Sequence, residues 1–113
     1  MVITNIQPEE MCPGVVRKHF IDRATGAGSI SMGLVTLQPH SALPLHRHRI
    51  EDVMIVLEGE GVLVEDGVET KVTVGMGMIA PGNTVHTIRN DSDAPFTIVY
   101  AWPGVEVERF PVK

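Results

Sequence analysis

His46-Arg47-His48-Arg49-Ile50-Glu51-Asp52-Val53-Met54-Ile55-Val56-Leu57-Glu58-Gly59 is the stretch around which the chain is organised. Two histidines stand two apart. An acidic pair follows, then a run of branched apolar residues closed by glycine. On an extended strand, residues i and i+2 point to one face. His46 and His48 therefore aim at one point, as two imidazoles must to share one metal ion. Asp52 keeps the same parity if the chain stays extended, whereas Glu51 falls on the opposite face. Arg47 and Arg49 are interleaved with the histidines and face outward, as a solvated rim, as support for the carboxylates, or towards a partner subunit. A third histidine, His86, lies far down the chain.

Working outward, the chain reads as many short strands separated by turn residues. Val15 to Ile21 is a first strand, and Asp22 to Gly28 a loop. In Ser29 to Leu37, Ile30, Met32 and Leu34 share one face while Val35 and Leu37 occupy the other, a strand partly buried on both sides. Asp66-Gly67 between two valine-rich arms predicts a two-residue type I′ hairpin, because both positions need positive φ. In its second arm, Val68, Thr70, Val72 and Val74 alternate with Glu69, Lys71 and Thr73, the clearest period-two signal in the chain. Phe96 to Trp102 and Val105 to Val112 complete the strand set. Residues 1–14, with Pro8 and Pro13-Gly14 as breakers, read as an irregular N-terminal arm. No segment of 10 or more residues shows a sustained helical period, apart from a weak one near the N-terminus. The pattern predicts an all-β sandwich or barrel in one domain spanning 1–113.

Composition limits the function classes. The 113 residues carry 9 basic and 14 acidic side chains without a basic block, which argues against a nucleic-acid surface. No apolar run reaches membrane-spanning length, and the first residues lack the pattern of a signal peptide, so the expected location is cytoplasmic. The single cysteine, Cys12, cannot form an intrachain disulfide. No Ser-His-Asp pattern, phosphate loop or nucleophilic cysteine arrangement is visible.

His46, His48, Asp52 and His86, with Glu51 as the alternative carboxylate, are the candidate metal ligands. Imidazole nitrogen and carboxylate oxygen suit Fe, Mn, Ni, Zn or Co. Four such ligands leave positions open on an octahedral ion, whereas a structural site would be closed and thiolate-rich. Taken singly, the His-x-His pair also suits solvated histidines, the acidic pair a surface, and His86 a core histidine bonded to a backbone carbonyl.

Two spaced motifs decide between these. His40 to Gly59 resembles the first motif of the cupins, G-x5-H-x-H-x3,4-E-x6-G, with His46, His48 and Gly59 in place, Asp52 at the Glu position and His40 at the first Gly. Gly75 to Asn90 resembles their second motif, G-x5-P-x-G-x2-H-x3-N, with Gly75, Pro81, His86 and Asn90 in place and Asn83 at the second Gly. The resemblance implies a small antiparallel jelly-roll β-barrel holding one divalent transition metal per chain. Asp52 is one methylene shorter than the usual Glu, so Asp52, Glu51 or neither completes the three histidines.

If the ligands face inward, Met54, Val56 and Ile88 should too. Met32, Leu34, Met78, Tyr100 and Trp102 join them as expected lining of a substrate pocket. Acid and base candidates are sparse: Glu51, His40, Tyr100 and Arg89. The resemblance further implies a metalloenzyme acting on a small oxygen-chelating organic substrate, with dioxygenase chemistry favoured. A non-redox isomerase, decarboxylase or lyase is the alternative, as is a non-catalytic small-molecule-binding barrel. Cupins commonly pair through N-terminal strands, which makes a homodimer the expected assembly.

Overall fold

The computed structural model describes residues 1–105 and the backbone of 110–111. These form β1 (Glu9–Cys12), β2 (Val15–Ile21), β3 (Ser31–Leu37), β4 (Ser41–Ala42), β5 (His46–Arg47), β6 (Asp52–Glu58), β7 (Glu60–Glu65), β8 (Val68–Thr73), β9 (Gly77–Ala80), β10 (His86–Asn90), β11 (Phe96–Trp102) and β12 (Phe110–Pro111). One 3-10 turn, Arg23–Thr25, lies within the expected 22–28 loop and is capped by the Asp22 side chain. The strands make two antiparallel sheets. The first runs β1-β2-β3-β11-β6-β9 and the second β12-β5-β10-β7-β8, with β4 beside β10. This is the antiparallel jelly-roll barrel expected. Of the final strand read at 105–112, Phe110–Pro111 pairs with β5, and 106–109 and 112 lie outside the described residues.

The Asp66-Gly67 turn adopts φ of 47° and 81° and joins β7 to β8 with Glu65 opposite Val68. The alternation in β8 is genuine, yet only Val72 is buried. This strand is the outermost described strand of its sheet, so most of its apolar face meets solvent rather than a layer.

The N-terminal arm is not irregular throughout. Glu9–Cys12 pairs antiparallel with β2, with a bulge between Glu10 and Cys12. Pro13-Gly14 joins the two strands instead of ending structure. Gly14 takes φ 82°, and Pro followed by a residue at positive φ suits a tight type II turn.

The alternation in β3 also runs opposite to the expected pocket assignment. Ser31, Gly33, Val35 and Leu37 are buried, and Met32 and Leu34 are half-buried on the other side. The inner face of the first sheet therefore carries three cross-strand rows. Val15 and Phe96 flank Leu37 from the two neighbouring strands, and all three are wholly buried. Arg17, Val35, Ile98 and Val56 form the next row. His19, Gly33, Tyr100 and Met54 form the third. The first row closes one end of the core with aliphatic and aromatic bulk; the other two approach the histidines. Among the described residues no helix is long and apolar enough to cross a membrane.

Candidate metal centre

Strand pairing brings the distant histidines together. His46 of β5 lies directly opposite His86 of β10, with ring centroids 4.4 Å apart. His48 follows in the β5–β6 connection, and Asp52 opens β6 on the facing sheet. Their four donor atoms all lie within 4.8 Å of one another. Asp52 Oδ2 is 3.4 Å from His48 Nε2 and 3.8 Å from His86 Nε2. The shorter carboxylate thus reaches the cluster, whereas Glu51 is exposed outside it.

Two local devices orient the imidazoles. His46 Nδ1 is 2.9 Å from the Pro44 carbonyl, and His86 Nδ1 is 2.9 Å from the Thr84 carbonyl. A carbonyl only accepts, so each Nδ1 carries the proton and donates. The Nε2 lone pairs then face the cluster, the tautomer a metal ligand requires. His86 Nε2 is buried and makes no hydrogen bond among the described residues. His48 packs against the edge of Trp102, ring centroids 4.6 Å apart.

The three histidines are 2–6% exposed. Burial alone pushes the Asp52 carboxyl up, but the adjacent His48 and His86 imidazoles outweigh it and hold Asp52 below the usual carboxylate range. Burial likewise pushes His86 down, and Asp52 together with the Thr84 carbonyl reverses this, leaving His86 above its ordinary value. Three neutral imidazoles and one carboxylate carry one negative charge. They offer nitrogen and oxygen donors with Nε2 lone pairs and a buried acceptor left without a donor. That set fits a divalent transition metal.

The cavity over the cluster is lined by Met11, Arg17, Val35, Leu43, Met54, Ile88, Ile98 and Tyr100 in addition to the four candidate ligands. Its volume is about 50 Å³. Such space suits a small molecule only.

Of the residues expected to line the pocket, Met54, Ile88 and Tyr100 do so. Val56 and Met78 belong to the packed core. Trp102 stands behind His48 rather than in the wall. Met32 lies on the outer surface in a shallow depression with Ile79 and Val99, and Leu34 shares its face. Among the acid and base candidates, His40 pairs with Asp93 at 2.8 Å at the surface. Arg89 is held by Glu69 and Asp91, also at the surface. Arg47 and Arg49 are exposed, as parity predicts. His40 takes φ 59° and Asn83 φ 63°. These are the two motif glycine positions that this chain fills with another residue, and His and Asn are among the side chains that tolerate this conformation.

Sequence reasoning missed Met11, Arg17, Val35, Leu43 and Ile98. The signal for Arg17 was present: Val15, Arg17 and His19 share one parity in a strand whose limits were read correctly. The inward sense of that parity becomes visible only once β2 is placed beside β3.

The family profile for the cupin domain matches residues 33–102. Among solved structures, the polyketide cyclase RemF from Streptomyces resistomycificus is 22% identical with a TM-score of 0.85, over 100% of this chain and 84% of that one. A cupin-superfamily sugar phosphate isomerase from Silicibacter pomeroyi is 26% identical, TM-score 0.75, over 91% and 73%. A predicted oxalate decarboxylase from Thermotoga maritima is 20% identical, TM-score 0.78, over 99% and 100%.

Proposed function

The chain belongs to the cupin family, and from that premise we propose that it is a metal-dependent enzyme acting on a small, oxygen-chelating organic molecule. His46, His48, Asp52 and His86 hold one divalent transition ion. The observation that carries this reading is the pair of Nδ1–H bonds to the Pro44 and Thr84 carbonyls, which turns the Nε2 atoms of His46 and His86 towards Asp52.

A bound ion supplies Lewis-acid or redox activation of a substrate oxygen. The chain's own residues do the rest. Val35, Leu43, Ile88 and Ile98 exclude water from the reacting group. Asp52 balances charge. Trp102 braces His48. Tyr100 places a hydroxyl beside the substrate, and burial pushes its phenol up to about 12, so it stays protonated and can donate at neutral pH.

Two chemistries suit this ligand set. Oxygenation needs few polar groups beyond the metal, whereas isomerisation, decarboxylation or elimination needs an acid or base beside the substrate. Arg17 and Tyr100 interrupt an otherwise apolar wall. That interruption favours the non-redox reading, and the cyclase and isomerase among the similar structures accord with it. The dioxygenase reading is second and rests on the apolar remainder. Turnover of hydroxy-acid and diketone panels by Zn- or Mn-loaded protein under nitrogen supports the first; turnover that requires Fe(II) and consumes dioxygen supports the second. Protein that binds no divalent ion contradicts both.

A homodimer is part of the same proposal. Strand β1 ends one sheet, and Ile55, Leu57 and Ile79 are more than half exposed. Light scattering at a mass of twice 12.3 kDa is the expected result, and a monomer at micromolar concentration contradicts it.

A further inference from the structure

The wall facing the histidines has a polar construction of its own. Arg17 and His19 are two residues apart on β2 and share the inner face. His19, Gly33 and Tyr100 sit side by side on three adjacent strands. Adjacent strands lie about 4.8 Å apart, so His19 and Tyr100 are separated by a whole strand. They nevertheless share a hydrogen bond between the Tyr100 hydroxyl and His19 Nδ1. The missing side chain of Gly33 makes this possible: a Cβ there would lie 2.7 Å from the Tyr100 hydroxyl oxygen and 2.2 Å from the Lys18 carbonyl oxygen.

Arg17 lines the cavity one row away. Its Nη2 donates to Glu9 at 2.9 Å at the rim. Its Nε is buried and has no hydrogen-bond partner among the described residues. A buried charged donor without an acceptor is costly, and the Arg17 guanidinium stands in the cavity wall beside Tyr100.

We infer that Arg17 and Tyr100 form a second subsite of this cavity, one that binds the carboxylate of a small oxo- or hydroxy-acid while another oxygen of the same molecule reaches the metal. This inference rests on the metal reading and adds the substrate class to it. Arginine presents a planar fork that matches a carboxylate. The subsite requires His19 Nδ1–H to donate to the phenol oxygen, the tautomer that leaves the Tyr100 proton for the ligand. His19 does not line the cavity; it is a positioning residue that acts through Tyr100. Three neutral imidazoles, Asp52, a divalent ion and the Arg17–Glu9 pair leave one net positive charge, which a monocarboxylate neutralises.

The test is calorimetric titration of Zn-loaded protein with pyruvate, glycolate and oxalate, and with diacetyl, the neutral counterpart of pyruvate. The acids bind the wild type. Arg17→Gln weakens them by roughly 10- to 100-fold, leaves diacetyl unchanged and keeps one zinc per chain. Tyr100→Phe weakens the acids by a smaller factor. His19→Leu matches it, and the double variant is no weaker than either single. Acids that bind Arg17→Gln as tightly as wild type, or that bind wild type not at all, overturn the subsite. Wild-type protein that takes up no zinc overturns the metal reading instead, and acid binding that still depends on Arg17 in that protein leaves the subsite standing.

Discussion

The two walls of the cavity are built in opposite ways. The histidine wall is local: His46, His48 and Asp52 come from one short stretch, His86 from a second, and backbone carbonyls two residues upstream orient His46 and His86. The Arg17–Tyr100 wall is non-local. It draws on β2, β3 and β11, and its hydrogen bond spans residues 81 apart in sequence. The difference teaches how each kind of chemistry is encoded. Metal ligands must converge within a few ångströms, which fixed spacing on adjoining strands achieves. A substrate subsite needs only to face the metal, so its residues can come from any strand of the opposite sheet.

The comparison breaks most sharply at the ligands. Replacing His48 or His86 with Ala lowers metal affinity by more than about 100-fold, beyond the 10–100-fold typical of groups that merely support a ligand, as read by competition with a chromogenic chelator. Arg17→Gln, on the other wall, changes that affinity little. Loss of metal in Arg17→Gln, or its retention in His86→Ala, would erase the distinction between the walls.

A stability difference follows from the face assignment in β3. Leu37 is wholly buried, and Leu37→Ala costs about 2–5 kcal/mol in denaturant unfolding. Leu34→Ala, on the half-buried outer face three residues away, costs less. Equal costs would return Leu34 to the interior.

The smallest effect is a pH dependence confined to the histidine wall. In metal-free protein Asp52 is held below its ordinary 3.8, so its contribution is present above that value and is lost as pH falls through the lowered one. His86 is held above its ordinary 6.5, so its contribution is complete below 6.5 and is lost as pH rises through the raised value. The pair therefore stabilises most between these limits. Thermal melts should show a maximum there that Asp52→Asn flattens and Arg17→Gln leaves in place. Metal affinity runs the other way and rises with pH, because the ion needs a neutral His86. A profile unchanged by Asp52→Asn would show that the two groups do not interact.

Much of this fold was legible because its signals are local. Asp66-Gly67 marks its own turn, and the limits of β2 and β11 follow from their bounding residues. The convergence of His46, His48 and His86 was readable from spacing set against the cupin motifs. The reach of Asp52 was not, because it depends on where β6 sits relative to β10. Face assignment failed in β3 because both parities carry apolar residues, and Gly33 is the interior residue that lets Tyr100 meet His19. Arg17 stayed hidden for the same reason. A charged residue on a strand reads as solvent-facing until the sheet beside it shows that its neighbours, Val15 and Val35, are buried.

The most direct measurement is the metal content of untagged protein, wild type against His86→Ala, by elemental mass spectrometry. The account predicts one divalent transition ion per chain in the wild type and nearly none in the variant, with both folded by circular dichroism. A wild type free of metal after incubation with Fe, Mn, Ni, Zn and Co, or a His86→Ala variant that keeps its ion, contradicts it.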